Sequence, residues 1–215
     1  LLAFGWTACP YTAFALESNT NDSLVSMLLV ATLLLAASPA GRGAMLALAS
    51  ATKFAPLFLV PLFATFDRDA ALRRPSRRAV RVLAPYAAAF AAVTLAVMAQ
   101  TLLDPGLSEF WERTIGNQVG RDSPFSVWGQ AELEWLHTAV KLTVAGLALA
   151  VAFVPRRRDL VTLAGLGAAV LIATQLTVEH WFCLYIPWCL PFLLAALLAR
   201  RDATELSPRP APAPA

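Results

Sequence analysis

The chain is 215 residues long, 58% of them hydrophobic and 14% charged, with a mean hydropathy of +0.62. That balance excludes an ordinary soluble domain and fits a polytopic membrane protein of about six or seven apolar segments at ~20 residues each. The net charge of +3 is small, and its distribution excludes a nucleic-acid binder: thirteen of fifteen arginines fall at Arg42, at 68–81, at 156–158 and at 200, 201 and 209, whereas nine of fourteen acids fall at 17, 22, 104, 109, 112, 122, 132, 134 and 179.

This segregation is the positive-inside pattern, which puts the arginine hinges on the cytoplasmic side and the 104–135 stretch outside. The three cysteines, Cys9, Cys183 and Cys189, lie in apolar runs without metal-ligand spacing and read as packing residues. No metal and no cofactor is expected.

Residues 1–16 form an uncharged run that opens on Leu1, without methionine and without the basic flank of a signal peptide. The chain therefore reads as the C-terminal part of a longer protein, its first span lacking the opening turns. Six polar residues, Glu17 to Asp22, close that run and cap the next one, 23–41, which is long enough to cross and ends at Arg42. The segment 44–66 is apolar but carries Lys53 near its middle, Pro56 and Pro61 within it and arginines at both flanks. A full crossing would put Arg42 on the acidic side. A re-entrant helical hairpin turning near 52–56 satisfies both flanks, and irregular backbone at depth is tolerated where protein or a polar cavity surrounds it.

After the basic hinge, 82–103 reads as a span toward the outside. The stretch 104–135 follows as one large outer loop with six carboxylates, Arg113, Arg121 and three tryptophans. A loop so long and so aromatic is expected to be an ordered cap over a site rather than a disordered connector. Residues 136–155 return to the inside, 160–178 go out, Glu179-His180-Trp181 turn at the surface, and 182–199 come back. The Pro/Ala-rich tail 201–215 is expected to be disordered and cytoplasmic. The expected fold is thus an all-α transmembrane bundle with one re-entrant hairpin and one large outer loop.

This topology gathers three polar clusters on one side: Glu17 to Asp22, the large loop, and Glu179 to Trp181. Lys53 has two readings, since an intramembrane cation is costly enough to mark a site yet is also tolerated when buried against carbonyls or one carboxylate. Arg113 and Arg121 suit phosphate through their planar forks, or pair within the loop with Glu112 or Asp122. His180 beside Trp181 suits a sugar, or belongs to an aromatic belt. Phe182, Tyr185, Trp188 and Phe192 recur at helical spacing, a pattern more typical of packing than of a ligand box. No phosphate-binding glycine loop or Ser/His/Asp arrangement is visible.

The order Tyr11-Thr-Ala-Phe-Ala-Leu-Glu-Ser-Asn-Thr-Asn-Asp22, an apolar span, Arg-Gly, then Ala-Ser-Ala-Thr-Lys53-Phe-Ala-Pro-Leu-Phe-Leu-Val-Pro61 and a basic hinge resembles the polyprenyl-phosphate-sugar-dependent membrane glycosyltransferases of the GT-C fold. Within them it is most similar to the family 87 mannosyltransferase-like proteins. The runs Phe110 to Gly129 and His180 to Trp188 extend the resemblance over nearly the whole chain. The resemblance implies transfer of a hexosyl or mannosyl group, with inversion, from a lipid-linked donor to an envelope glycan or glycolipid on the outer face of a bacterial plasma membrane.

It also implies an aspartate base in a first outer loop upstream of Leu1, so this chain alone is expected to be inactive. Asp22 and Asp122 are the weak substitutes for that base. Lys53, Arg113 and Arg121 would bind donor phosphate, and Asn19, Asp22, Asp122 and His180 would shape the acceptor side. A transporter or flippase of a lipid-linked or small polar substrate explains a cation in a broken helix equally. A non-catalytic membrane subunit is a third reading.

Overall fold

Proline sets where the apolar runs break. In the computed structural model, which describes residues 1–66, 77–118, 125–131, 133–155 and 159–199, the expected single run 1–16 is two short helices, α1 (Leu2–Thr7) and α2 (Pro10–Glu17). Cys9 takes the extended backbone that a residue before proline favours, and Pro10 opens α2, where its missing N–H is no loss. The expected span 23–41 divides for the same reason. It becomes α3 (Asp22–Leu34), a turn, and α4 (Pro39–Thr52), with Ser38 extended before Pro39 and its hydroxyl accepting from the Gly41 N–H at 3.2 Å.

Residues 39–64 fold back on themselves as a helical hairpin. α4 ends at Lys53, which is extended (φ −150°, ψ 148°), and the chain returns through a 3-10 turn (Ala55–Leu59) and α5 (Val60–Ala64). Its two ends meet: the Arg42 guanidinium lies 5.8 Å from the Phe66 ring centroid and 5.9 Å from that of Tyr86. The Tyr86 hydroxyl also donates to the Val60 carbonyl at 3.2 Å. Fourteen residues up and about ten back cover comparable distances, ~20 Å each way.

Arg42, expected at the basic end of the run 23–41, is fully buried and donates to the Ala36 carbonyl at 2.6 Å. Ala36 lies just past the C-terminus of α3, where carbonyl oxygens without helical partners attract a cation. The arginine thus closes the mouth of the hairpin instead of facing solvent.

α6 (Arg77–Leu103) is the long helix, and within it Val80–Leu103 is the one described stretch long and apolar enough to cross a membrane. Its contact with α4 is close at Gly43, where an added Cβ would run into the Tyr86 carbonyl oxygen. The stretch 104–135 is helical in part: α7 (Leu107–Thr114), a 3-10 turn at 116–118 and α8 (Val127–Gln130). α9 (Glu134–Ala150) and α10 (Leu160–Gln175) follow, then a 3-10 turn (Cys183–Tyr185) and α11 (Ile186–Leu198). Among the described residues there is no strand.

α11 is central, packing on α10, α3 and α1. Gly167 of α10 allows this closeness, since a Cβ there would meet the Phe192 ring. Phe192 in turn lies 6.2 Å from Phe63, which ties the hairpin to α11. Asp67 to Ser76 of the basic hinge, 156–158 and the tail lie outside the described residues, as do Arg121 and Asp122.

Candidate functional site

Three stretches far apart in sequence meet at the tip of the hairpin. Asp22 is the first residue of α3, where unpaired helix N–H groups favour a carboxylate, and it is buried. Lys53 reaches it because α4 stops there, and Nζ lies 3.6 Å from Oδ1, with the lysine side chain 31% exposed and the aspartate side chain 3%. α11 brings the third part: the Trp188 indole Nε1 donates to Asp22 Oδ1 at 2.8 Å. The Ser26 hydroxyl donates to the Pro187 carbonyl at 2.7 Å and fixes the register of α3 against α11.

The ammonium of Lys53 also sits over two stacked rings. It is 5.7 Å from the Tyr185 centroid and 5.8 Å from that of Trp188, and those rings lie 4.3 Å apart. Each such contact contributes about 0.5–2 kcal/mol, more as the cation is desolvated. The cation is therefore anchored on one side by a buried carboxylate and an aromatic pair. Its other side lines a cavity of about 550 Å³ bounded by the hairpin tip, the C-terminal half of α6 at Thr94 and Thr101, and α7 at Phe110 and Thr114. This volume is within the ~300–1,000 Å³ of small-molecule sites.

A second cluster fixes the later part of the 104–135 stretch to the turn after α10. Trp128 stacks on His137 at 4.6 Å with the rings 10° apart, and its Nε1 donates to the Leu176 carbonyl at 2.8 Å. His137 Nε2 faces the Thr177 carbonyl at 2.8 Å, and Nδ1 lies 3.5 Å from Glu179, which Lys141 approaches at 3.4 Å. Phe125 lies edge-on to His180 and to Phe182, at 6.0 and 5.9 Å.

Of the residues singled out from sequence, Lys53 and Asp22 are brought together. No described contact joins Asn19, Arg113 or His180 to that pair. Asn19 is exposed, in a turn with φ 49°, a backbone conformation that asparagine tolerates. Arg113 is exposed and paired with Glu109 at 2.6 Å, one helical turn away, rather than with Glu112. His180 is half-buried, and its Nδ1 is buried without a hydrogen-bond partner among the described residues.

Sequence reasoning missed Tyr185 and Trp188 as site residues. Their helical spacing resembled packing, and the usable signal was chemical: a buried indole N–H needs an acceptor, and a lysine in an apolar run needs a counter-ion. Comparison with protein-family models, curated proteins and solved structures finds no match.

Proposed function

We propose that this chain is part of an integral-membrane glycosyltransferase that takes a hexosyl group from a polyprenyl-phosphate donor at the outer face of the membrane. The observation that carries the reading is the placement of Lys53: a cation at the tip of a broken helix, oriented by Asp22, Tyr185 and Trp188 and bordering a cavity of about 550 Å³. A departing lipid phosphate requires fixed positive charge, and a preorganised cation supplies it without reorganisation. The likeness of 11–61, 110–129 and 180–188 to lipid-phosphate-dependent glycosyltransferases points the same way.

The membrane setting is supported by the outward-facing apolar length of Val80–Leu103 and by the shorter apolar helices α3, α10 and 183–198. Large side chains exposed on several helices, such as Met27, Leu34, Leu95, Leu142 and Ile172, suit lipid better than water. In this reading α4 and α5 form the re-entrant pair, with the cavity under the cap formed by α7. The testable property of this chain is donor binding.

The chain in liposomes should bind a radiolabelled polyprenyl-phosphate mannose saturably, with polyprenyl phosphate competing. The Lys53→Met/Asp22→Asn double variant, which removes the ion pair as a unit, should weaken binding about tenfold or more, the size of a charged hydrogen bond. Absence of saturable binding, or equal binding by the double variant, would overturn the reading. Movement of the labelled lipid across the bilayer would favour the flippase instead.

A further inference from the structure

We infer that α7 is an interfacial helix, with Leu107 and Trp111 set among the lipid headgroups and the upper acyl chains where α6 ends. The inference rests on the membrane setting proposed above and is independent of what the cavity binds. α7 is eight residues long with two unlike sides: Leu107, Phe110, Trp111 and Thr114 recur at helical spacing on one, and Ser108, Glu109, Glu112 and Arg113 occupy the other. The first side divides in its turn. Phe110 and Thr114 line the cavity and hold the helix to the bundle. Leu107 and Trp111, one turn apart, are 61% and 58% exposed. On the polar side Arg113 pairs with Glu109 at 2.6 Å.

Continuity with α6 names lipid as the cover of that pair. Val80–Leu103 is apolar over 24 residues and almost wholly unburied within the chain, and Leu102 and Leu103 at its end are exposed. At 1.5 Å per residue it is ~36 Å long against ~30 Å of hydrocarbon, so Leu103 reaches the headgroup layer. Only Asp104, Pro105 and Gly106 separate the two helices. That turn is tight: Gly106 takes φ 93° and ψ 168°, a region open essentially to glycine, and its N–H donates to the Thr101 carbonyl at 2.9 Å. α7 therefore starts at the level where α6 leaves the hydrocarbon. Trp135 at the start of α9 repeats the pattern, since it is exposed and shares a face with exposed Leu142 seven residues on, a tryptophan at headgroup level above a leucine in the acyl region. Between 104 and 118 three carboxylates stand against one arginine. Anionic headgroups would be repelled, so the apolar pair itself, rather than headgroup charge, holds the helix down.

The test uses the whole chain, its three cysteines replaced by alanine, in phosphatidylcholine liposomes, with a nitroxide on Leu95→Cys, Leu107→Cys, Trp111→Cys or Glu112→Cys. Collisions with oxygen, which concentrates among acyl chains, and with a water-soluble nickel chelate read the depth of each label. The labels at 107 and 111 should lie about 5–10 Å inside the headgroup–acyl boundary and the label at 112 in water. Leu95→Cys, two turns back from the end of α6, should lie deep in the acyl region. Phosphatidylglycerol mixed into the liposomes should leave these depths unchanged. Trp111→Glu should move the label at 107 outward by about 5 Å or more and leave that at 95 where it was.

Nickel access at 107 and 111 equal to that at 112, with Leu95→Cys still in the acyl region, overturns the interfacial helix and leaves the span standing. Protection of 107 and 111 from both reagents also overturns it, because a protein surface then covers them. Depths that grow with phosphatidylglycerol overturn the apolar pair as the anchor. Nickel access at Leu95→Cys overturns the membrane setting itself, and the inference with it.

Discussion

Lys53 and Asp22 depend on each other unequally. The aspartate side chain is 3% exposed and the lysine 31%, so removal of the lysine strands a buried carboxylate, whereas removal of the carboxylate leaves a cation that water reaches and two rings still face. Breaking a fully buried pair from one side costs about 3–5 kcal/mol. Lys53→Met should fall near the lower end of that range, because the Trp188 indole still donates to Asp22. Asp22→Asn should cost less, about 1–2 kcal/mol, since the amide oxygen keeps the indole bond. The double variant should be more stable than the sum of the two predicts; unfolding in detergent, followed by denaturant titration, measures all three. Strict additivity would show that the 3.6 Å contact does not couple them. The sequence marked Lys53 as a cation needing a partner in an apolar run, and offered one carboxylate as a generic answer. It could not choose Asp22, because the choice depends on α3 and the hairpin tip ending at the same level.

At the scale of elements, the hairpin is held by a close helix crossing and a buried cation. Gly43→Ala should destabilise by about 1–3 kcal/mol, the cost of forcing an atom into a packed contact, because its Cβ would meet the Tyr86 carbonyl oxygen of α6. Gly146 of α9 has nothing within 4 Å of its would-be Cβ. There Gly→Ala should be neutral or stabilising by up to about 1 kcal/mol through helix propensity. Thermal unfolding of the two variants side by side separates packing from propensity, and equal effects would remove Gly43 as the contact that sets the α4–α6 distance. The break near Lys53 was legible, since Pro56 and Pro61 mark irregular backbone. The splitting of 1–16 and 23–41 at Pro10 and Pro39 obeys the same rule, but hydropathy averages over a single proline and masks it. The burial of Arg42 was not legible at all: an arginine at the end of an apolar run has the same sequence pattern whether it caps a neighbouring helix or enters water.

For the whole molecule, the expected sidedness now has a geometric consequence. If the hairpin returns to the side it left, Ala40 before it and Ser76 in the basic hinge after it share one face of the membrane, and Ser18 and Asn117 share the other. The positions are chosen for access: Ser18, Ala40 and Asn117 are exposed, whereas Gly43 is unsuitable because it is buried against Tyr86. Cysteines placed singly at the four sites, in a chain whose three native cysteines are replaced by alanine, should divide into two pairs when an impermeant thiol reagent is applied to sealed, oriented vesicles. Ser18→Cys and Asn117→Cys should label from outside, and Ala40→Cys and Ser76→Cys only after the vesicles are opened. Labelling of Ala40→Cys and Ser76→Cys from opposite sides would mean that 44–66 crosses, which the meeting of Arg42, Phe66 and Tyr86 at one end opposes. Labelling of all four from the same side would overturn the multi-span arrangement itself, since α6 must then carry no residue of the hinge across from Asn117. Retention of the Arg42 contacts in that event would show that the hairpin is a property of the helices' own packing and needs no bilayer to close it.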